Sequence, residues 1–230
     1  MAEELRVSGG AAPSEAVFKR IAQPLAQATG ITLKLSSAGP VQAWKDLDAG
    51  AVDAAAAGIT FQEWAALMES EGYKVEKGNY MAQIIGMDSI KIFTNKDVAI
   101  QRLDKEQVKG IFTGEITNWS QVGGPDMPIV VVLGTKIAGT LAEFKKKILG
   151  DAEYLKDAIQ VETAADIKQK IIATSGAIGI GSKGQVDDSV NVPRYPEPTR
   201  IITLITKVGE RQDTVKTMVQ FIMGEGKQYL

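Results

Sequence analysis

Short apolar runs alternate with helix-patterned segments along the whole of this 230-residue chain, and that alternation admits few folds. Strand-like runs cover residues 5–7, 31–36, 52–57, 84–94, 129–133, 177–180 and 201–206. Between them lie segments that open on helix-capping signals: Thr60 with Glu63, Asp104 with Gln107, and Thr163 with Asp166. The last helix, residues 212–223, places Val215, Met218, Val219 and Ile222 at helical spacing before Gly224, which makes that stripe core. Strand and helix in strict alternation predict an α/β fold with largely parallel sheets.

No repeat, low-complexity tract or tether divides the chain. Its length suits two lobes of about 100 residues each, so two lobes must be joined by strands that cross between them. Residues 81–95 form one candidate crossing. The segment Tyr195-Pro196-Glu197-Pro198-Thr199-Arg200 forms the second, because its prolines stiffen an extended path. The expected division is residues 1–86 with 199–230 as one lobe and 87–198 as the other.

Composition removes several functions. There is no cysteine and no histidine, which excludes thiol nucleophiles, disulfides, imidazole bases and the usual zinc ligands. No acidic loop has calcium-binding spacing, so neither metal nor cofactor is expected. A net charge of −2 without a long basic run argues against nucleic acid as a partner. No apolar run reaches the roughly 18 residues of a membrane span. Met1-Ala2-Glu3-Glu4 runs straight into a strand, as it would if an export signal had been trimmed and a start codon added, or equally in a cytosolic protein with its natural start.

One arrangement recurs three times: a strand ends in small residues and a helix begins. Val7-Ser8-Gly9-Gly10-Ala11-Ala12-Pro13 leads into a helix from Ser14, Ser36-Ser37-Ala38-Gly39-Pro40 into one from Val41, and Gly134-Thr135-Lys136-Ile137-Ala138-Gly139-Thr140 into one from Leu141. Small residues allow a ligand close to the backbone. Helix starts offer free N–H donors and a positive dipole end, and in open α/β sheets such sites lie at the carboxyl ends of strands. A single such turn is usually only a turn. Three together, with hydroxyls at Ser8, Ser36, Ser37, Thr135 and Thr140, predict a binding cleft that needs no catalytic side chain.

Gly110-Ile111-Phe112-Thr113-Gly114-Glu115-Ile116-Thr117-Asn118-Trp119-Ser120-Gln121-Val122-Gly123-Gly124 resembles the "IF-G-ITNW-VGG" segment of the periplasmic phosphate-binding proteins of ABC transporters. Ala177 to Gly181, Tyr195-Pro196 and the closing Phe221 to Gln228 are also similar to that family. The resemblance runs from about Leu5 to the C-terminus. It implies a periplasmic-binding-protein-like type II fold: two α/β lobes, joined by crossing strands, that close on a solute. It also implies export and delivery of the solute to a membrane permease of an ABC transporter; a monomeric, extracytoplasmic protein that is not an enzyme is expected.

The phosphate-contacting residues of that family are largely replaced. Gly9-Gly10-Ala11-Ala12 stands where a hydroxyl-rich turn is expected, Asp53-Ala54-Ala55-Ala56-Ala57-Gly58 where a serine and an aspartate are expected shortly after the strand, and Gly134 where an arginine precedes the last loop. Each missing charge-assisted hydrogen bond is worth about 1.5–3 kcal/mol, against roughly 8 kcal/mol behind a micromolar site. The expected ligand is therefore a small molecule or anion other than orthophosphate. The expected contacts are Ser8, Gly9, Gly10, Ala11 and Ala12, then Ser36, Ser37, Ala38 and Gly39, then Lys136, Ala138, Gly139 and Thr140. Lys136 is the candidate replacement countercharge, although a lysine organises an oxyanion less well than arginine. Asp88 is charged within an apolar run, which fits either a hinge hydrogen bond or a ligand contact. Trp44, Trp64 and Trp119 read as core, and Lys145-Lys146-Lys147 as a solvated face. Two rivals remain: a sensor or scaffold of the same fold acting through a protein partner, and an enzyme using Asp88 or Lys136 as base, for which no paired nucleophile is visible.

Overall fold

The computed structural model describes residues 3–150, 152–209 and 212–230. In chain order the elements are β1 Glu3–Gly9, α1 Ala11–Pro13, a π turn Ser14–Phe18, α2 Lys19–Thr29, β2 Ile31–Ser37, α3 Pro40–Asp48, β3 Ala54–Ala57, α4 Phe61–Ser70 and β4 Tyr80–Thr94. There follow α5 Lys105–Thr113, β5 Val130–Gly134, α6 Ala138–Phe144, a π turn Lys145–Leu149 and β6 Ile159–Val161. The chain closes with α7 Ala164–Ile172, β7 Ala177–Ser182, β8 Thr199–Lys207 and α8 Gln212–Met223. All three expected capping boxes form, with Glu63, Gln107 and Asp166 reaching back to their caps. β6 is an addition to the sequence reading, being only three residues long.

The chain divides into two compact units, Met1–Asp88 with Arg200–Leu230, and Ser89–Thr199. The sequence reading drew the lines at 86/87 and 198/199. Asp88 therefore belongs to the first unit, as that unit's last residue before the chain leaves it.

In the first unit the strand order is β2-β1-β3-β8-β4. β1 runs parallel to β2 and β3, with Gly9 level with both Ser37 and Ala56, and β8 runs antiparallel to β3. Successive strand side chains point to opposite faces, and β3 shows it. Ala54 and Ala56 join Leu5, Val7, Ile21, Leu25, Met218 and Ile222 in one core, and Ala55 and Ala57 join Trp44, Leu47, Trp64, Met68 and Ile205 in another. A strand buried on both faces is expected to be apolar throughout, and alanine admits bulky neighbours on each side. Trp44 and Trp64 pack edge to face at 5.4 Å, and their ring N–H groups donate to the Tyr80 hydroxyl and the Pro40 carbonyl.

In the second unit the order is β4-β7-β5-β6, with β5 parallel to β6 and β7 and the end of β4 antiparallel to β7. β7 is buried along its whole length, and a side chain at Gly179 would meet Ile167 at 2.7 Å and the Val132 carbonyl at 2.9 Å. The Gly110–Gly124 segment is a packing device. Gly114 ends α5 in the left-handed region at φ 84°, and Asn118 caps a 3-10 turn over Trp119–Val122. Trp119 is fully buried, its N–H donating to the Gly176 carbonyl at 2.9 Å. The most recognisable stretch of the sequence is thus structural.

Candidate functional site at the strand ends of the first unit

The first two loops meet, as the parallel pairing of β1 with β2 dictates. The Ala38 N–H donates to the Gly9 carbonyl at 3.1 Å, and a side chain on Gly10 would lie 3.5 Å from the Ala38 carbonyl. The first helical stretch begins at Ala11 rather than at Ser14, with Gly10 as its cap. Pro13 consequently stands third in the helix, where a missing N–H still costs nothing. The second helix begins at Pro40 with Gly39 as cap. Ser36, Ser37 and Gly39 are exposed, and Gly10, Ala11 and Ala38 are half-buried.

Three of the expected contacts in this unit are differently employed. Ser8 is fully buried and its hydroxyl donates to Asp46 at 2.9 Å. Gly9 is buried in the sheet, where a side chain would lie 2.8 Å from the Ala56 carbonyl, so its smallness serves strand packing. Ala12 is 6% exposed and belongs to the core.

Asp88 is resolved by a residue the sequence reading did not single out. Its Oδ2 accepts from the Nε and Nη2 of Arg200 at 3.1 and 2.8 Å, and the two side chains are 0% and 8% exposed. Arg200 lies against the turn that leaves β3. A Cβ on Gly58 would sit 2.9 Å from the Arg200 Cδ, 3.2 Å from its Nε and 3.4 Å from the Ala12 Cβ. The same turn is fixed by the Thr203 hydroxyl, which donates to the Ile59 carbonyl at 2.6 Å. A buried guanidinium therefore stands at the carboxyl ends of β1 and β3, the end of an open α/β sheet where ligands bind. The available signal was the pair of opposite charges carried one in each crossing segment.

The third loop belongs to the second unit. Its helix starts at Ala138 rather than at Leu141, because the Ile137 carbonyl accepts both the Thr140 and Leu141 N–H groups, at 2.9 and 3.0 Å. The Thr140 N–H is thereby engaged within the helix and its side chain is buried. Ala138 and Gly139 are exposed. Lys136 is also exposed and pairs with Glu162 at 2.5 Å. The hydrogen bond that Lys136 donates to Glu162, then the charge of that carboxylate, raises the Lys136 pKa, which runs against a role as base. As a countercharge it is already matched by a carboxylate. Among the described residues no group of three or more acidic side chains is placed to hold a metal, and no helix is long and apolar enough to cross a membrane.

Two α/β units with strand-end loops of this kind define a type II periplasmic-binding-protein fold. The chain belongs to the PBP superfamily, whose domain model matches residues 2–209. It is 34% identical over 101 residues to the phosphate-binding protein PstS of Bacillus subtilis (strain 168), 44% of this chain and 32% of that protein. It is 27% identical over 120 residues to PstS of Borreliella burgdorferi, 47% of this chain and 43% of that one. The alignments thus span less than half the length of these curated relatives. A protein from Clostridium perfringens with bound phosphate, described as a candidate phosphate ABC transporter substrate-binding protein, superposes with a TM-score of 0.81 at 22% identity, covering 99% of this chain and 96% of that one. The reduced OxyR regulatory domain from Pseudomonas aeruginosa superposes with a TM-score of 0.64 at 13% identity, covering 96% and 97%. These likenesses establish the fold.

Proposed function

We propose that this protein is an extracytoplasmic solute-binding component of an ABC transporter, which takes a small molecule or anion other than orthophosphate and catalyses nothing. The observation that carries this reading is the family match over residues 2–209 combined with strand-end loops made of Gly10, Ala11, Ser36, Ser37, Ala38 and Gly39 and, against Gly58 in the turn after β3, a buried arginine. Main-chain N–H groups and small side chains suit a solute held by hydrogen bonds. In the second unit the exposed Ala138 and Gly139 are the further main-chain contacts of this reading. A membrane permease is the partner that receives the solute.

A thermal-shift panel of sulfate, orthophosphate, carboxylates and amino acids tests it. A ligand at 100 times its Kd adds about 2.7 kcal/mol, which for a chain of this size raises Tm by roughly 5–10 °C. No shift with any member overturns the reading. It would favour the sensor or scaffold alternative, to which the OxyR regulatory-domain fold lends its one support.

A further inference from the structure

Arg200 and Asp88 are costly residues to bury. Removing two charges from water consumes most of what their attraction returns, and a well-packed apolar pair of equal volume is commonly as stable. Stability alone does not account for them. Nor does it account for Gly58, whose φ is not in the left-handed region and whose missing side chain is the space that the Arg200 stem fills, next to Ala12. The glycine and the arginine form one arrangement: the turn after β3 contributes no side chain at Gly58, and the arginine stem and guanidinium stand there instead.

The surrounding chemistry is one-sided. Residues 9–12, 36–39 and 57–59 include no acid, and the Asp88 Oδ2 accepts two N–H groups of Arg200. Main-chain N–H groups and a guanidinium donate hydrogen bonds, and a guanidinium cannot accept one. An oxyanion that still carries a proton is best held by a carboxylate acceptor, and the side chains of these loops offer only the neutral hydroxyls of Ser36 and Ser37. An oxyanion without a proton needs only donors.

We infer that Arg200, oriented by Asp88 and housed against Gly58, is the specificity-determining residue of this site, and that the solute it selects is a fully ionised oxyanion of the sulfate or carboxylate class. The inference rests on the solute-binding reading above and narrows it. Asp88 is a positioning residue: it fixes the guanidinium plane and lowers the cost of burying it when the site is empty.

Titration calorimetry on the full chain tests this with four probes: sulfate, acetate, orthophosphate and glucose. Sulfate or acetate is expected to bind at least as tightly as orthophosphate, with the same affinity on either side of neutral pH. Arg200→Lys keeps the charge but loses the planar fork, and should weaken that binding roughly ten- to hundredfold. The double variant Asp88→Asn with Arg200→Met leaves no buried charge, so its thermal unfolding should stay cooperative while anion binding disappears. Equal anion affinity in the wild type and the folded double variant overturns the inference. Binding of glucose also overturns it but leaves the solute-binding reading standing; orthophosphate bound in preference to both sulfate and acetate overturns it together with the exclusion of orthophosphate, and leaves only the solute-binding role. Silence from all four probes, together with a flat thermal-shift panel, overturns both.

Discussion

Two ion pairs at strand ends separate the two units of this molecule. In the first unit Arg200 and Asp88 are almost wholly dry, at 8% and 0% side-chain exposure, whereas in the second Lys136 and Glu162 stand in water at 65% and 69%. Both pairs lie near loops of the kind that bind solutes, and a linear reading favours Lys136, which sits inside such a loop. The fold reverses that order. A solvated pair is screened and contributes little, while a guanidinium withdrawn from water keeps its field and its geometry. Proximity along the chain is a poor guide to electrostatic authority; burial is a better one.

The largest expected effect comes from breaking the dry pair on one side. Arg200→Met leaves Asp88 buried without its cation and should cost about 3–5 kcal/mol in denaturant unfolding, much of it recovered when Asp88→Asn is added. A loss near zero would mean that the pair is not dry and would erase the contrast. Next in size, Gly58→Ala pushes a methyl group to 2.9 Å from the Arg200 Cδ, and overpacking of this kind costs about 1–3 kcal/mol. Sulfate binding should weaken with it, since the displaced stem carries the guanidinium; a stabilised variant with unchanged binding would show that Arg200 moves aside freely.

A smaller effect reports on the interior of the first unit by pH. Burial first, then the hydrogen bond to Asp48, raises the Tyr80 hydroxyl from 10.0 to about 12. The folded state therefore keeps a proton that the unfolded chain gives up. That contribution is whole below about pH 10 and is lost as pH rises to about 12. Tyr80→Phe should flatten this part of the stability curve relative to the wild type; an unchanged slope would place the titration elsewhere. The smallest effect belongs to the wet pair. Lys136→Met should leave the denaturation midpoint and sulfate affinity unchanged within error, and a loss of binding would restore Lys136 as the countercharge.

The fold was largely legible because its signals are local. Alternating apolar runs, capping residues at Thr60, Asp104 and Thr163, and the stripe on the last helix all depend on neighbours within a few residues. The three-residue β6 escaped because so short a strand carries no period. The helix starts moved because Gly10 and Ile137 cap earlier than the prolines and hydroxyls suggest. The candidate site's loops were legible, but not which of their side chains face outward. Gly10, Ala11 and Ser36 to Gly39 lie at the loop surface, but Ser8 is turned inward by Asp46, thirty-eight residues away in sequence. Arg200 reaches Asp88 across 112 positions, a separation over which periodicity and spacing say nothing.

Crystals soaked in selenate, a heavier relative of sulfate, allow the bound anion to be located by its anomalous scattering. The account predicts a strong peak within hydrogen-bond reach of the Arg200 guanidinium and the main chain of Gly10 and Ala11. Peaks confined to exposed lysines such as Lys136, with nothing at Arg200, would contradict it.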